Sequence, residues 1–318
     1  MTVRILRGDC IELLRTLPEA SVHCCVTSPP YFGLRDYGVD GQIGLEPTPD
    51  EFVAKLVDVF REVRRVLRDD GTLWLNLGDS YAAGGMTNPS SSSTLGGGKN
   101  RGAAEYAITR RAPAGLKSKD LVGIPWRVAF ALQADGWYLR QEIIWHKPNP
   151  MPESVTDRCT KSHEQIFLMA KSASYYFDAE AIAEPAKNAG KPMKMADGWD
   201  TGIGGHGTIH RQGREKGENR GAVQADTRNK RSVWTVTTKP FKGAHFATFP
   251  PALIEPCILA GAPRGGVVLD PFGGAGTTGL VADRHGRDAV LIELNPEYAG
   301  MAERRILGDA PLFADVAA

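Results

Sequence analysis

Val267-Val268-Leu269-Asp270-Pro271-Phe272-Gly273-Gly274-Ala275-Gly276-Thr277-Thr278-Gly279 reads as a short buried strand running into an acid, a proline and a cluster of glycines. A helical pattern reaches His285, a second strand spans Ala289 to Ile292 and ends in Glu293, and another helix runs from Pro296 towards Ile306. Strand, glycine turn, helix and strand make a βαβ unit with a right-handed parallel crossover. An acid about twenty residues beyond the glycines stands where such units hold a nucleoside ribose. Gly274, Gly276 and Gly279 also satisfy G-x-G-x-x-G. That pattern alone admits a nicotinamide or flavin dinucleotide, another nucleoside cofactor, or a close-packed turn with no ligand.

Outward from this unit the chain keeps alternating strands and helices. Val3 to Leu6 form a strand, and Ile11, Leu13, Leu14 and Leu17 form a helical face stopped by Pro18. Asp9 lies between them, either to accept a hydrogen bond from a ligand or to cap the helix. Val22 to Thr27 are almost wholly apolar, as a central strand requires, and deliver Ser28-Pro29-Pro30-Tyr31 to the same sheet edge. The prolines fix the backbone carbonyls, the Ser hydroxyl and a carbonyl accept from an amino group, and the Tyr ring offers a stacking face. This is a clamp for a nucleobase, or in isolation a strand terminator followed by a core Tyr. Thr48-Pro49-Asp50-Glu51 open a helix with a capping box, whose buried face is Phe52, Leu56, Val59, Phe60, Val63 and Leu67. Gly71 is expected to stop it before a strand from Thr72 to Leu77. A helix from Ile124 to Ala134 closed by Gly136, a strand from Tyr138 to Trp145, and further strands at Gln165 to Ala170 and Tyr175 to Phe177 follow. The fold class is α/β: a Rossmann-like, mostly parallel sheet with helices on both faces, plus irregular inserts.

Two stretches lack this pattern. Between Gly84 and Gly115, glycine and serine runs suit either a solvated linker or a DNA-contacting loop. From Ala186 to Lys242, twelve lysines and arginines stand against five acids, whereas the 318-residue chain has a formal net charge of only +1. Concentrating the positive excess in one irregular insert favours phosphate contact over a merely solvated face. The expected division is 1–83 and 119–185 as the catalytic sheet, 84–118 as a flexible insert, 186–232 as a basic target-recognition insert, and 233–318 as the cofactor-binding part. The five cysteines form no C-x-x-C pair, which argues against a structural metal or a disulfide framework. No apolar run is long enough to span a bilayer, so no membrane partner is expected and the cytoplasm is the expected location.

Asp270-Pro271-Phe272-Gly273-Gly274-Ala275-Gly276 together with Ser28-Pro29-Pro30-Tyr31 resembles the S-adenosyl-L-methionine-dependent DNA amino-methyltransferases, which methylate cytosine N4 or adenine N6. The clamp precedes the cofactor motif, as in the family's β group, and a target-recognition region lies between them. The resemblance covers most of 4–83, 120–185 and 232–306. It implies that Phe272, Gly274 and Gly276 wrap the methionine part of the cofactor, with its carboxylate at the helix start near Thr277 and Thr278. It further implies that Glu293 holds the ribose hydroxyls, that Asp9 and Cys10 border the adenine, and that His245, Phe246, Thr248 and Phe249 close the pocket. Ser28, Pro29, Pro30 and Tyr31 would grip the target base. Double-stranded DNA is the implied partner, with a cognate restriction endonuclease admitted beside it and a monomer or homodimer as the assembly.

An activated sulfonium methyl needs neither metal nor covalent nucleophile; the obstacle is an amine lone pair delocalised into its ring. Hydrogen bonds to Ser28 Oγ and the Pro29 carbonyl would favour a pyramidal nitrogen aimed at the methyl. The base must leave the duplex, and stacking on Tyr31 offsets part of the cost. Attack at the cytosine ring carbon would need a cysteine, and Cys257, the one residue in a Pro-Cys pair, lies in an apolar helix. In this family Ser before Pro-Pro-Tyr goes with cytosine N4, and Asp or Asn with adenine N6. The expected activity is therefore cytosine-N4 methylation, with adenine N6 the alternative. RNA or a protein glutamine amide as substrate, and a non-catalytic DNA-binding or cofactor-sensing protein, are the rival readings.

Overall fold

Strand ends, rather than strand middles, position everything that follows, and a computed structural model shows where they fall. It describes residues 2–34, 38–82, 115–187, 226–238, 249–309 and 315–317. In chain order the elements are β1 (Thr2–Arg7), α1 (Cys10–Thr16), β2 (Val22–Thr27), α2 (Pro49–Val66), β3 (Leu67–Leu77) and α3 (Ile124–Ala134). Next come β4 (Tyr138–His146), β5 (His163–Ala170), β6 (Glu184–Pro185), β7 (Thr227–Arg228) and β8 (Val233–Thr235). The chain closes with α4 (Pro251–Gly261), β9 (Val267–Asp270), α5 (Thr277–Arg284), β10 (Asp288–Glu293), α6 (Pro296–Asp309) and β11 (Asp315–Ala317). Two compact units result, Met1–Asp178 with Ser232–Ala318, and Ala179–Arg231.

The larger unit holds a nine-stranded sheet in the order β11-β1-β10-β9-β2-β3-β5-β4-β8. Among the described residues of this sheet, β3·β5 and β4·β5 pair antiparallel and the other neighbours pair parallel. From β9 the chain steps to β10 on one side, and from β2 to β3 on the other, so the strand order reverses between β9 and β2. Open α/β sheets take their ligands at that switch point, outside the carboxyl ends of the strands. Those two ends carry Asp270 and Ser28.

Alternation along the strands decides which helices lie on which face. Cys25, Leu73, Leu75, Leu269, Val290 and Ile292 share one core with Leu14 of α1, Phe52 and Phe60 of α2 and Leu132 of α3. Their neighbours Cys24, Trp74, Val268 and Leu291 are buried on the opposite face. There a Cβ added to Gly261 of α4 would stand 2.5 Å from Cys24 Sγ, and one on Gly279 of α5 would stand 2.9 Å from Leu291 Cδ1. The adjacent cysteines therefore point away from each other, both free and buried.

Local signals hold where the chain is regular. Thr48 Oγ1 accepts from Glu51 N at 3.2 Å with Pro49 at the first position of α2. Two expectations fail. Gly71 lies inside β3 instead of ending α2, which stops at Val66 when Leu67 turns extended and pairs with Val22. The β2–β3 register then shifts before Thr72, and Gly71 sits where a Cβ would meet Arg68 O at 2.9 Å. Its glycine serves this crowded irregularity. Tyr175–Phe177 form no strand; the ring of Phe177 instead stacks on Trp74 at 6.2 Å. In the smaller unit β6 and β7 pair antiparallel, and Glu184 takes Arg231 Nε at 3.0 Å and Arg228 Nη2 at 3.3 Å. Among the described residues no helix is long and apolar enough to cross a membrane.

Candidate active site

Asp270 ends β9 fully buried, and three donors converge on it. Thr27 Oγ1 at 2.6 Å and Phe272 N at 3.1 Å donate to Oδ1, and Thr278 Oγ1 at 2.6 Å donates to Oδ2. The carboxylate thus ties the end of β2 to the end of β9 and holds the glycine loop over α5. Burial outweighs these bonds and pushes its carboxyl up to about 6.

The glycines above it do different work. Gly274 has φ +49 and an added Cβ would meet nothing nearer than Phe272 O at 3.9 Å, so its open side faces the cavity. Gly276, with φ +75, is pressed against α6: a Cβ would stand 2.7 Å from Ala302 Cβ. Gly279 is the close contact with the sheet already described. Gly276 precedes α5 with no side-chain cap, which leaves backbone N–H groups and the positive end of the helix for an anion. Arg305 of α6 braces the loop from behind, with Nη1 donating to Ala275 O at 2.9 Å and Thr277 Oγ1 at 2.8 Å.

Glu293 closes the other side. Its Oε2 accepts from Gly274 N at 2.7 Å and its Oε1 from Asn295 N at 2.8 Å. Burial raises its pKa, and the backbone donors oppose the rise. Each oxygen keeps a lone pair for a ligand hydroxyl. The cavity between β9 and β2 is lined by Asp270, Phe272, Gly274, Thr277, Glu293 and Phe249 on this side, and by Ser28, Pro29, Pro30 and Tyr31 on the other. An open glycine backbone, an uncapped helix start and a carboxylate able to take hydroxyls fit an amino-acid–nucleoside cofactor.

In the clamp, Tyr31 lies with its ring against Gly78, where an added Cβ would stand 3.0 Å from Cδ2 and closer still to Cε2. Its hydroxyl donates to Glu164 Oε2 at 2.8 Å. Asn76 Nδ2 reaches Tyr31 Oη at 3.0 Å, Glu164 Oε2 at 3.1 Å and Ser28 Oγ at 3.4 Å. Lys147 Nζ pairs with Glu164 Oε1. Burial and the Glu164 charge hold the Tyr31 hydroxyl well above its ordinary pKa, so it stays protonated.

The structure brings together Ser28, Pro29, Pro30, Tyr31, Phe249, Asp270, Phe272, Gly274, Thr277 and Glu293 around one cavity. Thr278 supports it from beneath. Asp9 is the cap of α1, its Oδ1 accepting from Ile11 N at 2.9 Å and Glu12 N at 3.0 Å. Cys10 packs into the core beneath, and burial pushes its thiol up to about 12. Neither lines the cavity. His245, Phe246 and Thr248 lie outside the described residues. Sequence reasoning missed Asn76, Gly78 and Glu164, and also Asn295, Tyr298 and Met301, which complete the wall. The Asn76-Leu77-Gly78-Asp79 ending of a buried strand at the same sheet edge was the available signal for the first two.

Fold and site define a doubly wound α/β protein with one cavity at its switch point, walled by a glycine loop on one side and by Ser28 to Tyr31 on the other. Comparison with known proteins narrows this. The family described as DNA methylase, covering N6 and N4 amino methylation, matches residues 22–304. The type II methyltransferase M.Cfr9I of Citrobacter freundii is 48% identical over 307 residues, 96% of this chain and 88% of the relative. M.XycI of Xanthomonas campestris pv. cyanopsidis is 49% identical over 96% of this chain and 87% of the relative. Among solved structures, TTHA0409 of Thermus thermophilus, complexed with S-adenosyl-L-methionine, is 25% identical with a TM-score of 0.60, covering 99% of this chain and all of that one. The cytosine-N4-specific PvuII DNA methyltransferase shares the fold with a TM-score of 0.62 at 20% identity, over 95% of this chain and 86% of that one. The chain belongs to the N6/N4 DNA methylase family and is a DNA methyltransferase of the cytosine-N4 or adenine-N6 type.

Proposed function

We propose that this enzyme transfers the methyl group of S-adenosyl-L-methionine to N4 of a cytosine flipped out of double-stranded DNA. The observation that carries this reading is Ser28 at the end of β2, hydroxyl inward beside Asn76, directly across the switch point from the glycine loop. In the family's pattern a serine at this position accompanies cytosine N4. The cofactor, when bound, supplies a methyl group already activated by its sulfonium. Gly274 lets the backbone approach it, the start of α5 takes its carboxylate, and Glu293 accepts from its ribose hydroxyls. Ser28 Oγ and the Pro29 carbonyl accept from the target amine and orient its lone pair, while Tyr31 supplies the stacking surface. The type II names of the curated relatives support a place beside a cognate endonuclease.

The test is to incubate the protein with methyl-labelled S-adenosyl-L-methionine and unmethylated plasmid DNA, digest the DNA, and identify the labelled nucleoside. N4-methylcytosine is expected. N6-methyladenine would overturn the base assignment, and cofactor binding without labelled DNA would overturn the activity.

A further inference from the structure

Thr277 and Thr278 open α5 side by side, and their hydroxyls are committed differently. Thr278 Oγ1 donates to Asp270 Oδ2 at 2.6 Å and so ties the helix to the end of β9. Thr277 Oγ1 accepts from Arg305 Nη1 at 2.8 Å, and among the described residues no protein group accepts its own hydrogen. Thr277 is only 3% exposed and lines the cavity. A hydroxyl oxygen that accepts one hydrogen bond still has a hydrogen to give, and leaving it unused in a buried place is unfavourable.

We infer that Arg305 is a positioning residue for the cofactor: by donating to Thr277 Oγ1 it turns the hydrogen of that hydroxyl into the cavity, towards the carboxylate of the methionine part of S-adenosyl-L-methionine. The inference rests on the cofactor placement proposed above and deepens it. Arg305 does not itself line the cavity, whereas Tyr298 and Met301 of the same helix do, so its guanidinium meets the hydroxyl from the protein side. The same Nη1 donates to Ala275 O at 2.9 Å. That carbonyl would otherwise compete for the Thr277 hydrogen, and the guanidinium engages it. Arginine has no acceptor and keeps its charge at any working pH, so the direction of its bond to Thr277 cannot reverse.

Bracing of the glycine loop alone would be met by the bond to Ala275 O, and a branched residue without a hydroxyl would fill position 277 as well. The carboxylate is the part of the cofactor that suits the extra donor, because it accepts hydrogen bonds and gives none. Since α5 starts at Gly276 with no side-chain cap, its first N–H groups and positive end already favour an anion there. The Thr277 hydroxyl adds a directed donor to that set, and the guanidinium behind it adds positive charge.

The experiment titrates the full chain calorimetrically with S-adenosyl-L-methionine and with its decarboxylated analogue, which keeps the adenosine, the sulfonium and the amine. It compares the unsubstituted protein with Thr277→Val, Thr277→Ser, Arg305→Met and the double variant Thr277→Val/Arg305→Met. Thr277→Val and Arg305→Met are each expected to bind S-adenosyl-L-methionine about 10-fold more weakly, the scale of one hydrogen bond to a charged group. Both should bind the decarboxylated analogue as the unsubstituted protein does. Thr277→Ser, which keeps the hydroxyl, should bind both ligands normally. The double variant should be no weaker than the weaker single one, because both remove the same donor. Equal weakening of both ligands in Thr277→Val would overturn the inference, as would full affinity for S-adenosyl-L-methionine in Arg305→Met. Should Arg305→Met fail to fold, Arg305→Gln, too short to reach the Thr277 hydroxyl, takes its place: a loss confined to S-adenosyl-L-methionine supports the inference, and full affinity or an equal loss for both ligands overturns it. Equal affinity of the unsubstituted protein for the two ligands would instead overturn the carboxylate placement beneath it.

Discussion

Gly78 carries no functional group, yet the seat of Tyr31 depends on it. The ring of Tyr31 occupies the space a side chain would take: an added Cβ would stand 3.0 Å from Cδ2 and closer still to Cε2. The backbone at Gly78 cannot yield to the new methyl group, so Gly78→Ala should tilt the half-buried ring off its seat. Turnover should fall about 100-fold, the scale of a misplaced reacting group, while cofactor affinity, set across the cavity, stays put. Equal kcat in titrations of DNA with saturating cofactor would refute this. Asp270 offers a second test through pH. Its folded pKa of about 6 lies above the ordinary 3.8, so between those values the folded chain holds a proton that the unfolded chain has released. Stability therefore falls as pH rises through this window, and the penalty is complete above about pH 6. Asp270→Asn can keep Thr27 and Phe272 on its oxygen and donate to Thr278, whose own hydroxyl can turn to Val26 O at 3.3 Å. Its stability relative to the unsubstituted protein should rise between pH 4 and 7 by up to about 3 kcal/mol. Parallel urea-midpoint profiles for the two proteins would contradict that.

At the level of elements, the ends of helices and strands support one another across the sheet. α3 starts at Gly123 in a left-handed conformation, with no side chain of its own to cap it. The cap comes from the end of β3: Asp79 Oδ1 accepts from Gly123 N at 3.0 Å and Ile124 N at 3.1 Å. Removing it in Asp79→Ala should cost about 1–2 kcal/mol, the usual worth of an N-cap, read as a lower urea midpoint. No change in midpoint would show that the helix start is held by packing alone. Such remote caps are invisible to a local pattern. The Thr48 box of α2 was legible because donor and acceptor lie three residues apart, whereas 44 residues separate Asp79 from Gly123. The same limit explains Gly71. A glycine after an amphipathic run reads as a helix stop, but β2 offers Leu67 a strand partner in Val22, and tertiary pairing wins over local punctuation.

For the molecule as a whole, the cavity spans the switch point, so its walls come from residues near both ends of the larger unit. Ser28 to Tyr31 lie on one side, Asp270 to Glu293 on the other, and the Thr27–Asp270 bond joins them. A cofactor bound there should stabilise the larger unit as one body. S-adenosyl-L-methionine at about 100 times its Kd should add about 2.7 kcal/mol to unfolding, seen as one calorimetric transition moving upwards. A transition that splits, with only one part moving, would show that the two walls unfold independently.

Legible in the order of residues alone were the βαβ unit with its glycine turn, the succession of apolar strands and capped helices, and the placing of Ser28-Pro29-Pro30-Tyr31 at the end of a central strand. These depend on periodicity, proline geometry and contacts a few residues long, which a chain displays in its own order. That Gly274 faces the cavity while Gly276 faces α6 came from packing, since both have positive φ and differ solely in what stands opposite. Packing likewise set Asp9 as the cap of α1 and gathered Asn76, Glu164 and Lys147 behind Tyr31. Those partners come from β3, β5 and the end of β4, up to 133 residues from the tyrosine they hold. Burial and hydrogen-bond partnership are properties of neighbours in space, and the order β9-β2-β3-β5-β4 is what makes these residues neighbours.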